Sequence, residues 1–210
     1  MQYIYLIVSY FKNMPSTVDI HDLIASKPDK EILFTEDFRE FGSSEAIKSA
    51  MHRFVKRGVL KRLAKGIYVK PGYSDLLKME TMPPLEALAQ AIAKRDHARI
   101  TPTGAMAMYK LGLTTQVPLK LTYLTDGSAR KINIGKTEIT FKRVTPKKLA
   151  FKGKLSSLAI PALSEIGQTN LDQDLEKRVI TQLKKEKYED LKHDIRLAPQ
   201  WIAEIMAKAL

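Results

Sequence analysis

The 210-residue chain has no cysteine. That excludes disulfides, thiolate zinc sites and a cysteine nucleophile, and it suits a reducing, cytoplasmic compartment. Nor is there an apolar run near the roughly 20 residues that span a bilayer. The nearest candidate, Tyr3-Ile4-Tyr5-Leu6-Ile7-Val8, lacks a basic flank before it and a small-residue cleavage site after it, and Ser9 and Lys12 interrupt it. Neither a membrane span nor a secretory signal is expected. Internal repeats and low-complexity tracts are also missing. The most informative absence is local: Ala46–Ser74 holds eight basic residues and no acidic one.

The whole chain carries a formal charge of +12, which favours a polyanionic partner over an acidic small molecule. The charge is unevenly placed. Residues 120–154 hold ten basic side chains against two acidic ones: Lys120, Arg130, Lys131, Lys136, Lys142, Arg143, Lys147, Lys148, Lys152 and Lys154. On strands, alternating lysines of this kind make the wet face of a sheet. They would equally extend a nucleic-acid footprint or meet an acidic protein, and the sequence does not choose.

Met14-Pro15-Ser16 reads as a natural start, with Ser16 as a helix cap, so residues 1–13 are either an upstream start-site artefact or a short appended element. Val18, Ile20, Leu23 and Ile24 then follow helical spacing until Lys27-Pro28-Asp29. After the apolar Ile32-Leu33-Phe34, Thr35 offers an N-cap with Glu36 and Asp37 in the first turn, and that helix ends at Gly42. Ser43 or Ser44 caps the next helix, whose inward face is Ile47, Ala50, Met51, Phe54 and Val55. Gly58 stops it in the C′ position. Val59-Leu60 and Ile67-Tyr68-Val69 flank a turn ending at Gly66, a hairpin, and Pro71-Gly72 closes the unit. Helix, short strand, helix, helix, hairpin is the order of a winged helix-turn-helix.

Thr81-Met82-Pro83-Pro84 reads as a linker. Helices are expected over Leu85 to Arg95 and, following Thr101-Pro102, through Ala105, Met108 and Leu111 to Gly112. Period-two alternation in Leu119–Thr125, Lys131–Ile134 and Glu138–Val144 gives strands, and Leu155–Ile166, Asp172–Lys187, Tyr188–Leu197 and Pro199–Ala207 return to helix. The expected architecture is α+β: an N-terminal winged helix-turn-helix (14–80), then a mixed C-terminal domain (81–210) with a small antiparallel sheet flanked by helices.

A helix that fits a major groove, followed by a basic hairpin that follows the phosphates, is how a winged helix holds duplex DNA. Solvated lysines on an ordinary surface helix are the bland alternative. The lack of acids, the glycine stop and the hairpin cations favour DNA. Base reading would fall to Ser44, Lys48, Ser49 and His52. Phosphate contacts would fall to Arg53, Lys56, Arg57, Lys61, Arg62 and Lys65, with Lys70 further along the hairpin. Tyr68 is placed in the core rather than against a base. His21, His52, His97 and His193 lack the paired spacing of a metal site, so no metal or cofactor is expected. Gly135-Lys136-Thr137 lacks the upstream glycine and following helix of a phosphate-binding loop and reads as a hairpin turn. Asp190-Leu191-Lys192 only superficially echoes a nuclease pair, and no acid–base or nucleophile constellation emerges.

Phe34-Thr35-Glu36-Asp37-Phe38, Ala46 to Leu60 and Lys65-Gly66-Ile67-Tyr68 resemble the N-terminal winged helix of AbiEi-type antitoxins. Ile100-Thr101-Pro102-Thr103-Gly104-Ala105, Leu111-Gly112-Leu113-Thr114-Thr115-Gln116-Val117-Pro118, Tyr123-Leu124-Thr125-Asp126-Gly127 and Ala198-Pro199-Gln200-Trp201 are similar to the C-terminal region of that family, in its DUF6088 branch. The resemblance implies a bacterial toxin–antitoxin, or abortive-infection, module. Its N-terminal domain would repress the shared promoter at inverted repeats. Its C-terminal domain would counteract a neighbouring nucleotidyltransferase toxin, without catalysis and without a stable complex. Two rivals remain: a transcription factor whose C-terminal domain senses a small ligand in an apolar pocket, and a metal-dependent DNA-processing enzyme.

Overall fold

A computed structural model describes residues 17–210. The expectations for residues 1–13, the Ser16 cap and the Val18 side chain lie outside the described residues. The architecture is mixed α+β, in two compact units divided in sequence between Pro84 and Leu85.

The first unit opens with α1 (Thr17–Ser26), which buries Ile20 and Ile24. Its C-terminal carbonyls are met by a lysine from far along the chain: Lys70 Nζ donates to Ala25 O at 3.0 Å and Lys27 O at 2.6 Å. A cation there satisfies orphan carbonyls and opposes the helix dipole. Lys70 therefore belongs to the scaffold and does not extend the basic hairpin, as the sequence suggested. β1 (Ile32–Phe34) follows, and then Thr35–Phe41, which is a 3₁₀ helix rather than an α-helix. Thr35 is its first residue, not its cap. The Asp37 carboxylate instead accepts from the Phe34 amide at 2.8 Å.

α2 (Ser44–Lys56) is capped by Ser43, whose hydroxyl accepts from the Ala46 amide. Ile47, Ala50, Met51 and Phe54 are buried, so the inward stripe read from spacing is the one observed. At the far end Gly58 has φ +77°, with Gly58 N–H on Val55 O and Val59 N–H on Phe54 O. This is a Schellman closure, which needs a left-handed residue at that point. β2 (Lys61–Ala64) and β3 (Ile67–Val69) form the hairpin, with an irregularity between Arg62 and Ala64. β3 lies between β1 and β2, all antiparallel, in the register Ile32↔Val69 and Phe34↔Ile67. Tyr68 is 6% exposed and joins the core with Leu33, Phe38, Phe54 and Leu60.

Pro71-Gly72 does not end this unit. β4 (Gly72–Ser74) turns back and pairs with β5 (Met79–Thr81), which carries the chain to Pro84 before the second unit begins.

The second unit starts with α3 (Leu85–Arg95), burying Leu88, Ala89, Ile92 and Ala93. β6 (Ile100–Pro102) is a strand where the sequence suggested only the approach to a helix, and α4 is short, Ala105–Lys110. β7 (Lys120–Thr125), β8 (Arg130–Ile134) and β9 (Thr137–Arg143) complete a sheet of order β6-β7-β9-β8. The sheet is antiparallel except for β7 and β9, which run parallel with Leu121↔Ile139 and Tyr123↔Phe141 as partners. Gly135, at φ +58°, makes the β8–β9 turn. Then come α5 (Ser156–Ile166), α6 (Gln173–Leu183), α7 (Tyr188–Ile195) and α8 (Gln200–Ala207). α5 buries Ala159, Ile160, Ala162 and Leu163 and is contacted by α4, α6, α7 and α8, so it is the centre of the helical core.

The segment leading into α5 is held by two carboxylates. Asp194 of α7 is fully buried and accepts from Lys152 N, Gly153 N (2.8 Å) and Ser156 Oγ (2.5 Å), with His193 Nδ1 at 2.8 Å. Glu186 accepts from the amides of Leu155 and Ser156. A Cβ on Gly153 would lie 2.3 Å from Ser156 Oγ, so this turn has no room for a side chain. Burial alone would raise the Asp194 pKa, but the Ser156, His193 and backbone hydrogen bonds outweigh it and hold the carboxyl below its usual value. Its stabilising contribution is therefore complete above the unfolded-state value of about 3.9 and is lost as pH falls through the depressed native value. Asp194→Asn, which puts an amide among donors, is expected to cost about 2–4 kcal/mol near pH 7. In urea melts the gap from wild type should narrow below about pH 4. A gap that does not change with pH would refute the assignment.

Candidate nucleic-acid interface

Ser44, Lys48, Ser49, His52, Arg53, Lys56, Arg57, Lys61, Arg62 and Lys65 are all exposed. Their placement follows from the α2 core stripe. With Ile47, Ala50, Met51 and Phe54 turned inward, helical geometry sends the rows Ser44–Lys48–His52–Lys56 and Ser49–Arg53 to the opposite side. Ser43 takes the capping role, which leaves the Ser44 hydroxyl at the first helical position, outside the cap.

The structure does not treat the ten alike. Ser44 and Lys48 face Arg62 and Lys65 across a cleft of about 510 Å³. The remaining α2 positions lie outside that cleft. Ile47, Gly66 and Tyr68 also line it, as do Thr35, Glu36 and Arg39 on the side of the 3₁₀ helix. The hairpin tip is fixed to that side: Thr35 N–H donates to Gly66 O at 3.1 Å and the Thr35 hydroxyl to the same oxygen at 3.3 Å. Gly66, at φ +73°, occupies the left-handed position of the turn, and a Cβ there would press on Thr35 Oγ1 at 3.2 Å. Arg62 Nε also reaches back to Ala64 O at 3.4 Å.

Two features of this surface were missed from sequence. Arg39 contributes a cation to the cleft, beside Glu36. It was hidden in the acidic run Glu36-Asp37-Phe38-Arg39-Glu40, although being the lone basic residue there was a usable signal. Lys61 is ion-paired with Glu80 of β5. The acid-free stretch from Ala46 to Ser74 thus acquires an acid from the next hairpin, which was not foreseen beyond Pro71-Gly72. Arg62 and Lys65 remain as the hairpin cations that open on the cleft.

Among the described residues no group of three or more His, Asp or Glu side chains is placed to hold a metal ion. No helix there is long and apolar enough to cross a membrane.

If the hairpin contacts phosphates, Arg62→Ala with Lys65→Ala removes two of them. The slope of log affinity against log salt for duplex DNA is then expected to fall by about 1.8. Lys61→Ala should change it much less. Filter-binding titrations across salt concentrations check this, and an unchanged slope in the double variant would remove the hairpin from the interface.

No curated protein matches the chain. The profile of a family of unknown function, DUF6088, matches residues 19–191, which takes in most of each unit. The chain belongs to the DUF6088 family.

Proposed function

We propose that the chain is a DNA-binding repressor whose second unit acts as an antitoxin. In this reading the first unit is a winged helix-turn-helix: α2 enters the major groove and the β2–β3 hairpin is the wing. The observation that carries it is the shared cleft, which Ser44 and Lys48 of α2 line together with the hairpin cations Arg62 and Lys65. The element order, with β1 paired to β3 beside the helices, supports the same reading. Duplex DNA with inverted repeats is the partner, and most of the affinity is electrostatic.

The antitoxin half rests on the resemblance of Leu111–Pro118 and Tyr123–Gly127 to AbiEi-type antitoxins. The second unit would counteract a nucleotidyltransferase toxin encoded next door, non-enzymatically and without a lasting complex.

Lys48→Ala is expected to cost binding to DNA from its own promoter about 1–3 kcal/mol and binding to random DNA much less. Arg57→Ala, at the helix end, should affect both alike. Mobility shifts on the two DNAs decide it: equal losses for Lys48→Ala would mean that it touches only phosphate. For the second unit, the full chain carrying Lys48→Ala, Arg62→Ala and Lys65→Ala is expressed from an unrelated promoter beside the neighbouring toxin. It is expected to relieve growth arrest as well as wild type. Loss of rescue in this variant would tie protection to repression and overturn the division of labour.

A further inference from the structure

The parallel pair in the second unit creates a crevice. β7 and β9 run side by side and finish together, with Thr125 and Arg143 as register partners. From there the chain leaves β7 past β9 to reach β8. It leaves β9 the other way, the Pro146–Leu149 turn packing on β7. Connections that diverge from the ends of neighbouring parallel strands open a gap, and open α/β sheets hold ligands in such gaps. Here the gap measures about 560 Å³, and its lining includes Asp126, Arg143, Thr145 and Lys148.

The charges in this crevice are not balanced. Asp126 would repel an anion, but Arg99 neutralises it, the Arg99 amide and Nε donating to its two carboxylate oxygens at 2.8 Å each. Arg143 and Lys148 are exposed, and neither makes an ion pair among the described residues. Two unmatched cations and the Thr145 hydroxyl thus surround one gap. Val144 and Pro146 supply the apolar part of the lining. A tetrahedral dianion finds two charge-assisted donors and a hydroxyl there, and guanidinium is suited to bidentate contact with its oxygens.

We propose that the crevice at the common end of β7 and β9 is a phosphoryl-binding site, held by Arg143 and Lys148 with Thr145. The phosphoryl group is either that of a free phosphate compound or that of a nucleic-acid backbone. The site does not depend on the winged-helix reading, because its residues all lie in the second unit.

The test uses the full chain, with pyrophosphate as the probe in low-salt calorimetry and random duplex DNA in a parallel mobility shift. Arg143→Gln with Lys148→Gln removes the two crevice cations. Lys142→Gln with Lys147→Gln removes the same charge from nearby positions outside the crevice. Pyrophosphate binding that weakens about tenfold or more in the crevice variant and holds in the control establishes a site for free phosphate compounds. No pyrophosphate binding, but a DNA affinity about tenfold lower only in the crevice variant, assigns the site to the nucleic-acid backbone. If both variants behave alike in both assays, or neither probe responds, the proposal is overturned. Should circular dichroism show the crevice variant unfolded, Lys148→Glu alone takes its place, with the same outcomes. Because Arg62→Ala with Lys65→Ala leaves the crevice intact, a pyrophosphate response that persists there separates this site from the first unit.

Discussion

A strand of three residues governs the first unit. Ile32–Phe34 pairs with Val69–Ile67 and thereby ties the helices to the hairpin. Without it the hairpin would be an isolated two-stranded ribbon, which is marginal in water. Directly after the strand, Thr35 binds the carbonyl of Gly66, so the pairing that builds the sheet also sets the hairpin tip against the 3₁₀ helix. The distance from Ser44 and Lys48 to Arg62 and Lys65 is a consequence of that register. A slip of one residue would turn Leu33 and Tyr68 out of the core and close or splay the cleft. The cleft is therefore no more precisely set than a short ladder and one backbone carbonyl allow.

The second unit solves a different problem, that of holding irregular backbone without disulfides. The chain must pass from the sheet into α5 through Lys152-Gly153-Lys154, a basic turn whose amides have no strand or helix to pair with. Buried amides need acceptors, and Asp194 and Glu186 supply them from later in the chain. A buried carboxylate is costly unless its oxygens are saturated. Asp194 meets this condition with backbone amides, a hydroxyl and an imidazole, which is why its pKa falls despite burial.

Legibility in the sequence tracks how local each determinant is. The α2 stripe, the Ser43 cap and the Gly58 stop were readable because each is decided within a few residues by periodicity or by φ. Ile100–Pro102 was not, since three residues contain no period. It sits at the sheet edge, where a proline costs no ladder bond, so Pro102 does not bar it from being a strand. The alternation in β7 and β9 announced strands but not their partners. That the two are parallel neighbours, and that their ends make a crevice, depends on where the chain goes between them. Among the candidate DNA contacts, exposure was legible from the helix wheel. Which cations are already engaged was not, because Glu80 reaches Lys61 from a separate hairpin and Ala25 and Lys27 lie more than forty residues from Lys70.

That last distinction bears on how a formal charge of +12 is read. An ammonium or guanidinium whose donors are bound to carboxylates or to helix-end carbonyls still counts in the sum, but it offers a partner little. Lys70 caps α1. Arg99 is fastened to Asp126, and Arg130 to Asp96, where it lies over the Phe141 ring. Burial and the nearby Arg95 charge lower the Arg130 pKa, yet a guanidinium starts so high that it stays charged and serves as a structural pin. Lys110 and Lys208 are bound to Glu86 and Glu176. A partner feels the cations that keep donors free and stand close enough to act together, because in water the attraction of a single exposed charge is slight and decays within a Debye length of about 8 Å. By that criterion the hairpin tip facing α2 and the crevice at Arg143 and Lys148 stand apart from the scattered surface lysines. At the hairpin tip, the pairing of β1 with β3 sets Arg62 and Lys65 of the basic run beside α2; at the crevice, the end of β9 and the turn that follows it bring Arg143 and Lys148 to one gap.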